Sequence, residues 1–462
     1  MPLDPAPLYF RTALLAEGWA RHVRIETHGG LVARIETGVP PAPGDEVHAI
    51  ALPGLPNLHS HAFQRGMAGL AERRGAGDDS FWTWREVMYR FLDRLGPEDM
   101  QGIAALAYME MLETGFTRVG EFHYLHHAPD GRPYADPAEM AAAIAAAAAE
   151  TGIALTLLPV FYAHSGFGGL PPGEGQRRFI CDLDQFARLR EGCRTVLAAL
   201  PDTVLGVAPH SLRAVTSGEL AQLLELAMDG PVHIHIAEQT REVEDCLAWS
   251  GQRPVQYLLD RADVDDRWCA VHATHLTTEE CVRLAASGAV AGLCPITEAN
   301  LGDGLFPAPA FLAAGGRFGI GSDSNVLIDP SEELRLLEYG QRLHARRRNI
   351  LADADHTGNG AGNRTSSGAT LFGAALAGGA RALGVAAGIG QGRAADIVSL
   401  DANHPSLIGR TEDGLLDGWI FAAGRGGIDC VWRRGRRVVS RGRHQAREAI
   451  AARYAGMISR LL

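Results

Sequence analysis

The sequence predicts an α/β fold: a (β/α)8 TIM-like barrel with a small β-sandwich domain built from both chain ends. Three observations predict it. Eight short apolar runs recur between residues 52 and 390, ending near Leu58, Val119, Val160, Ala208, Ile236, Val271, Leu293 and Ile320. Longer segments of good helix formers separate them, and alternating βα units over such a length suggest a barrel. The two chain ends read instead as strands and turns, and 462 residues suit one large barrel plus a smaller domain.

The elements follow in order. His22-Val23-Arg24-Ile25-Glu26 alternates polar and apolar residues, the signature of a half-buried strand. Leu31-Val32-Ala33-Arg34-Ile35 is a less regular strand, set off by Gly29-Gly30. The barrel runs then begin. Among the intervening helices, Met140-Ala141-Ala142-Ala143-Ile144-Ala145 is rich in the strongest helix former. Gly358-Asn359-Gly360-Ala361-Gly362-Asn363 reads as a mobile loop. Strand character returns at Asp396-Ile397-Val398-Ser399-Leu400, Gly418-Trp419-Ile420-Phe421 and Val431-Trp432-Arg433, and again at Arg436-Arg437-Val438-Val439 after a turn at Gly435. The expected division is 1–51 with 391–462 for the small domain and 52–390 for the barrel.

Composition excludes several function classes. No uninterrupted apolar stretch approaches the roughly 18 residues of a membrane span. Met1-Pro2-Leu3-Asp4-Pro5 opens no basic segment followed by an apolar one, so a cytoplasmic protein is expected. The formal net charge of -11, without a long basic run, argues against a nucleic-acid backbone as partner. Arg346-Arg347-Arg348 is too short to change that and reads as a solvated helix end. The seven Cys are irregularly spaced with no Cys-x-x-Cys, which suits neither a disulfide scaffold nor a thiolate zinc site. The chain has no lysine. Schiff-base chemistry, a P-loop and a carboxylated lysine bridging two metals are thereby excluded.

What remains is a set of metal-ligand residue types at strand ends. His59 and His61 flank one residue, and residues two apart in a strand face the same side. His235 and Glu238 close the fifth run, His272 the sixth, and Asp323 follows the eighth. In a barrel these ends converge on one face, where the chemistry sits. Three neutral His and a carboxylate (His59, His61, His235, Asp323) form a plausible Zn²⁺ set with a position left open. Bound metal brings the pKa of water towards about 7. Asp323 could also accept that water's proton, Glu238 could carry one to a leaving nitrogen, and His272 could orient the water or stabilise charge. Each residue has an ordinary alternative: a core histidine, an acid at a helix start, a turn aspartate. The ordered set argues against all of these holding at once. His233, by contrast, reads as structural.

Pro56-Asn57-Leu58-His59-Ser60-His61, His235-Ile236-Ala237-Glu238, Cys294-Pro295-Ile296-Thr297-Glu298-Ala299-Asn300-Leu301 and Gly321-Ser322-Asp323-Ser324 resemble the amidohydrolase superfamily in its mononuclear deaminase branch. Gly392-Arg393-Ala394-Ala395-Asp396-Ile397-Val398 resembles the strand that returns to the small domain there. The resemblance covers nearly the whole chain. It implies zinc, one ion per subunit, on His59, His61, His235 and Asp323, with Glu238 and His272 catalytic. Within that branch the chain is most similar to the formimidoylglutamate deiminase family of bacterial histidine breakdown. That similarity rests on His61-Ala62-Phe63-Gln64-Arg65-Gly66-Met67-Ala68-Gly69-Leu70, Phe81-Trp82-Thr83-Trp84-Arg85, Glu121-Phe122-His123-Tyr124-Leu125-His126-His127 and Pro209-His210-Ser211-Leu212-Arg213. It implies release of ammonia from N-formimidoyl-L-glutamate, with Gln64, Arg85, Tyr124, His210 and Arg213 as substrate contacts, and a homodimer. A small-molecule substrate with two carboxylates suits Arg85 and Arg213, because guanidinium binds carboxylate bidentately. The rival expectations are a guanine or adenosine-derivative deaminase on the same barrel, and a barrel without catalysis that serves as a binding subunit.

Overall fold

The computed structural model describes residues 6–73, 81–227, 230–352 and 365–461. The Gly358–Asn363 segment lies outside them. In the barrel the strands are β5 (Leu55–Ser60), β6 (Phe116–His123), β7 (Ala154–Phe161), β8 (Val204–Leu205), β9 (Ala208–Pro209), β10 (Val232–Ile236), β11 (Trp268–His272), β12 (Val290–Leu293) and β13 (Arg317–Ile320). Every pairing among them is parallel. β8 and β9 both pair with β7 and occupy one strand position between them, so the ring has eight places. Parallel bridges Val207↔Val232 and Ser211↔His235 join that position to β10, and Ser60↔Asp323 closes the ring. All eight apolar runs of the sequence fall on these strands. β6, β7, β10 and β11 are buried at every residue, as parallel strands covered by helices must be.

Both chain ends contribute to one continuous sheet. Its strands are β1 (Leu8–Leu15), β2 (Gly18–His28), β3 (Leu31–Glu36), β4 (Glu46–Pro53), β14 (Ile397–Leu400), β15 (Ile428–Arg433), β16 (Arg436–Ser440) and β17 (Arg443–His444). The order is β17-β16-β15-β14-β4-β1-β2-β3, so the C-terminal half joins the N-terminal half where β14 pairs with β4. Phe10, Val23, Ile25, Ile397 and Trp432 form part of its own core. Arg433 in β15 reaches the barrel, pairing with Asp202 at 3.0 Å.

Trp419–Phe421 is not a strand. Asp413–Gly418 is an α-helix, and Trp419–Ala423 continues it as one π-helical turn. The reason is periodicity: Leu415, Leu416, Trp419 and Ile420 are buried, a helical spacing that a four-residue apolar run conceals. Trp419 packs edge-on against Phe372 of the helix Ser367–Ala382. Among the described residues no helix is long and apolar enough to cross a membrane.

Candidate active site

The end of β5 and the segment after β13 are laced together, and this brings three of the expected ligands to one point. His61 N–H donates to Asp323 O, and Asp323 N–H to His59 O, each at 2.9 Å. Asn57 and Asn325 complete the seam. Asn57 Oδ1 accepts from Ser322 N–H at 3.0 Å, while the Asn325 amide donates to Ser60 Oγ, His61 O and Asp323 O at 3.0–3.1 Å. The β5–β6 register slips between Asn57 and Ser60, the kind of irregularity that re-aims a side chain. Ala237, His272, Ala273, Asp323 and Asn325 all have φ between 43° and 66°, a left-handed backbone uncommon without glycine. All five follow or end strands β10, β11 and β13. Strain of this kind persists where the surroundings over-determine it, typically at functional sites.

His59, His61, His235 and Asp323 meet with their donor atoms facing inward. His59 Nε2 lies 3.2 Å from His61 Nε2 and 3.1 Å from His235 Nε2. Asp323 Oδ1 lies 3.4 Å and 3.3 Å from the Nε2 atoms of His59 and His61. Four ligands at the usual metal distances would stand about 3.3–3.6 Å apart in a tetrahedron. The tautomers also fit. His61 Nδ1–H donates to Phe122 O at 2.9 Å and His235 Nδ1–H to His210 O at 3.1 Å. Their Nε2 atoms then carry lone pairs, which repel one another unless a cation sits at their focus. Burial keeps the three imidazoles neutral, lowering His59 to about 3 and pulling His61 and His235 down likewise. Burial opposes ionisation of Asp323, yet the hydrogen bond from His59 and the charge of His272 hold its pKa below the usual range. The residues therefore fit a divalent ion.

Glu238 and His272 stand beside this set. His272 Nε2 is 3.9 Å from Glu238 Oε1 and 3.7 Å from Asp323 Oδ2. Burial raises Glu238 to about 7, His272 drawing it down and Asp323 pushing it up. Burial disfavours charge on His272, but the carboxylates of Glu238, Glu298 and Asp323 outweigh it and raise its pKa. The pair therefore holds a proton at neutral pH.

A cavity of about 670 Å³ opens over these groups. Gln64, Arg85, Tyr124, His210 and Arg213 all line it, together with His61, His235, Glu238, His272 and Asp323. His59 is fully buried beneath. Gln64 donates to Tyr124 Oη at 3.0 Å, which leaves its Oε1 buried and unpaired. Arg213 Nε is likewise buried and unpaired, and among the described residues no carboxylate comes within ion-pair distance of its guanidinium. The structure thus gathers every residue singled out from the sequence. His233 stands apart and bonds Ala382 O at 2.7 Å, as a structural residue does.

Other residues of the site were given no role in the sequence reading. Arg241 lies 4.8 Å over the Trp82 ring, which Arg85 and Arg213 also face at 4.5 Å and 5.9 Å. Its one signal was its place three residues after Glu238. Glu121 is fully buried behind β5, taking bonds from Ala62 N–H at 2.7 Å and Tyr108 Oη at 3.0 Å. Glu298 contacts His272.

Comparison with known proteins agrees with this geometry. Residues 50–438 match the Amidohydrolase family, and residues 8–49 match "Formimidoylglutamate deiminase HutF, N-terminal domain". A formimidoylglutamate deiminase of Pseudomonas aeruginosa is 52% identical over 98% of this chain and 99% of its own. The crystal structure of an amidohydrolase from Brucella melitensis superposes with a TM-score of 0.94 at 55% identity, covering 99% of both chains. An adenosine deaminase from Xanthomonas campestris, solved with bound zinc, shares the fold with a TM-score of 0.80 at 24% identity, covering 100% of this chain and 99% of its own. A barrel closed by a His-x-His strand, four converged residues that could hold a metal ion, and these whole-length matches place the chain in the amidohydrolase family.

Proposed function

We propose that this chain is a formimidoylglutamate deiminase, hydrolysing N-formimidoyl-L-glutamate to N-formyl-L-glutamate and ammonia. The observation that carries the reading is the 52% identity to a formimidoylglutamate deiminase over 98% of the chain. The cavity supports it, because Arg85 and Arg213 offer two guanidinium groups to a substrate with two carboxylates. A purine would call for base-edge partners and an aromatic stack more than for two arginines.

His59, His61, His235 and Asp323 would hold one zinc ion. The chemistry such an ion supplies is a water acidified from about 15.7 to about 7. The remaining work belongs to the chain. Arg85 and Arg213 anchor the glutamate carboxylates, and Gln64, Tyr124 and His210 fix the formimidoyl end. Glu238 takes a proton from water as the oxygen bonds to the formimidoyl carbon, whose C=N bond becomes single. His272 stabilises the charge that develops there. With the terminal nitrogen already protonated in the bound amidinium, Glu238 then returns the proton to that nitrogen, Asp323 accepts the remaining hydroxyl proton, the C–N bond breaks, and ammonia leaves as the carbonyl forms.

Ammonia release from N-formimidoyl-L-glutamate by zinc-loaded protein, beside guanine and adenosine, tests the reading. Turnover of the first alone is expected. Turnover of either control in its place would overturn the substrate. Replacing Glu238 with Gln should abolish turnover while metal content stays unchanged.

A further inference from the structure

The motif Cys294-Pro295-Ile296-Thr297-Glu298 follows β12, and the mechanism above gives it no task. Glu298 lies in the short helix Pro295–Leu301 and is 5% exposed. Its Oε1 accepts from Cys294 N–H at 2.8 Å, which pins the carboxylate against the start of its own helix. The same oxygen faces His272 Nδ1 at 3.3 Å. His272 belongs to a different strand, β11, and its backbone is left-handed, with φ 66°. Its other nitrogen points at Glu238 and Asp323. The His235 ring stacks on it at 5.6 Å between centroids, with His59 edge-on at 6.1 Å.

We propose that Glu298 is the positioning residue for His272, holding its Nδ1–H so that His272 donates hydrogen bonds to the reacting groups only through Nε2. An imidazole free to turn about its χ2 axis would present either nitrogen to the reaction. A carboxylate on Nδ1 removes that choice, as partners on the far nitrogen of functional histidines generally do. The cap to Cys294 N–H serves the same end, because it keeps the carboxylate from following the ring. A cap alone would not require the oxygen to face a histidine 26 residues away in sequence.

The inference rests on the deiminase reading for its kinetic test, so a second readout is independent of substrate. Glu298→Gln keeps an acceptor for both donors, and Glu298→Leu keeps neither. In zinc-loaded protein, Glu298→Leu should lower kcat for N-formimidoyl-L-glutamate roughly 100-fold, with KM within about threefold and metal content unchanged. Glu298→Gln should recover most of the loss. A purely structural cap predicts a lower melting temperature in the Leu variant with kcat intact, and that result would overturn the proposal. So would equal loss in both variants. In ¹⁵N-histidine-labelled protein, the hydrogen-bonded Nδ1–H resonance missing from His272→Asn identifies His272. It should persist in Glu298→Gln and vanish in Glu298→Leu. Its persistence in Glu298→Leu would overturn the proposal even if the wild type failed to turn over this substrate, a failure that would sink only the substrate assignment.

Discussion

Replacing Arg213 with Met keeps an unbranched apolar stem and removes the guanidinium with its charge. Arg213 is buried in the cavity wall, its Nε has no partner, and no carboxylate of the described residues pairs with it. The guanidinium has no direct ion pair and is available to a ligand, while the buried carboxylates of Glu242 and Glu238 lie near enough to favour its charge. Hydrogen bonds to charged groups contribute about 1.5–3 kcal/mol each. Two bonds to one carboxylate, taken at the low end, amount to about 3 kcal/mol, or roughly 150-fold in kcat/KM. Most of it should fall on KM, because the anchored carboxylate does not react. Steady-state ammonia release reads this directly. A substrate–enzyme cycle makes it specific: N-formimidoyl-4-aminobutyrate lacks the α-carboxylate and N-formimidoyl-2-aminobutyrate lacks the γ-carboxylate. The truncated substrate that has lost the partner of Arg213 should show little further loss in the variant, while the other shows the full loss. Equal losses on both truncated substrates, or kcat/KM within threefold of wild type on the parent, would refute the reasoning.

Three further outcomes follow from the site's construction. Burial raises Glu121 to about 8 from an ordinary 4.5, against the bonds from Ala62, Ser60 and Tyr108. An acid with a raised folded-state pKa binds its proton more tightly when folded, so its contribution to stability declines from about pH 4.5 to about pH 8 and is constant above. The full decline is on the order of 5 kcal/mol. Denaturant unfolding of Glu121→Gln and wild type at pH 6 and pH 9 should show the difference moving in the variant's favour at the higher pH, and a constant difference would contradict the burial argument. A Cβ on Gly321 would stand 2.7 Å from His59 O and 2.9 Å from His59 Cβ. Gly321→Ala should therefore displace this ligand and weaken zinc binding more than tenfold in a chelator competition, while unchanged affinity would mean that the seam yields without moving His59. Removing the metal should lower the melting temperature and restoring zinc should recover it, because ligand at 100 times its Kd stabilises by about 2.7 kcal/mol.

Much of the site was legible because barrel chemistry follows local rules. An apolar run ending in His59-Ser60-His61 announces a strand end with two imidazoles together, and the same grammar holds at His235 and Asp323. The absence of lysine narrowed the chemistry in the same direct way. What stayed hidden depends on contacts between distant segments. Nothing near Glu298 says that it meets His272, and nothing near Trp82 says that Arg241 will stack on it. Nothing links Asn57 to Ser322, or Asn325 to Ser60 and His61, until β13 is laid against β5. Trp419–Phe421 misled for the opposite reason: four residues are too few to tell a period of 2 from a period of 3.6, and only the buried Leu415 and Leu416 upstream decide it.

The central claim is that water adds to the formimidoyl carbon and that the terminal nitrogen leaves. Product analysis after complete conversion of N-formimidoyl-L-glutamate tests it most directly. Ammonia and N-formyl-L-glutamate in equal amounts are predicted. Formamide and L-glutamate would mean that the other C–N bond breaks, and the roles given to Glu238 and His272 would be wrong.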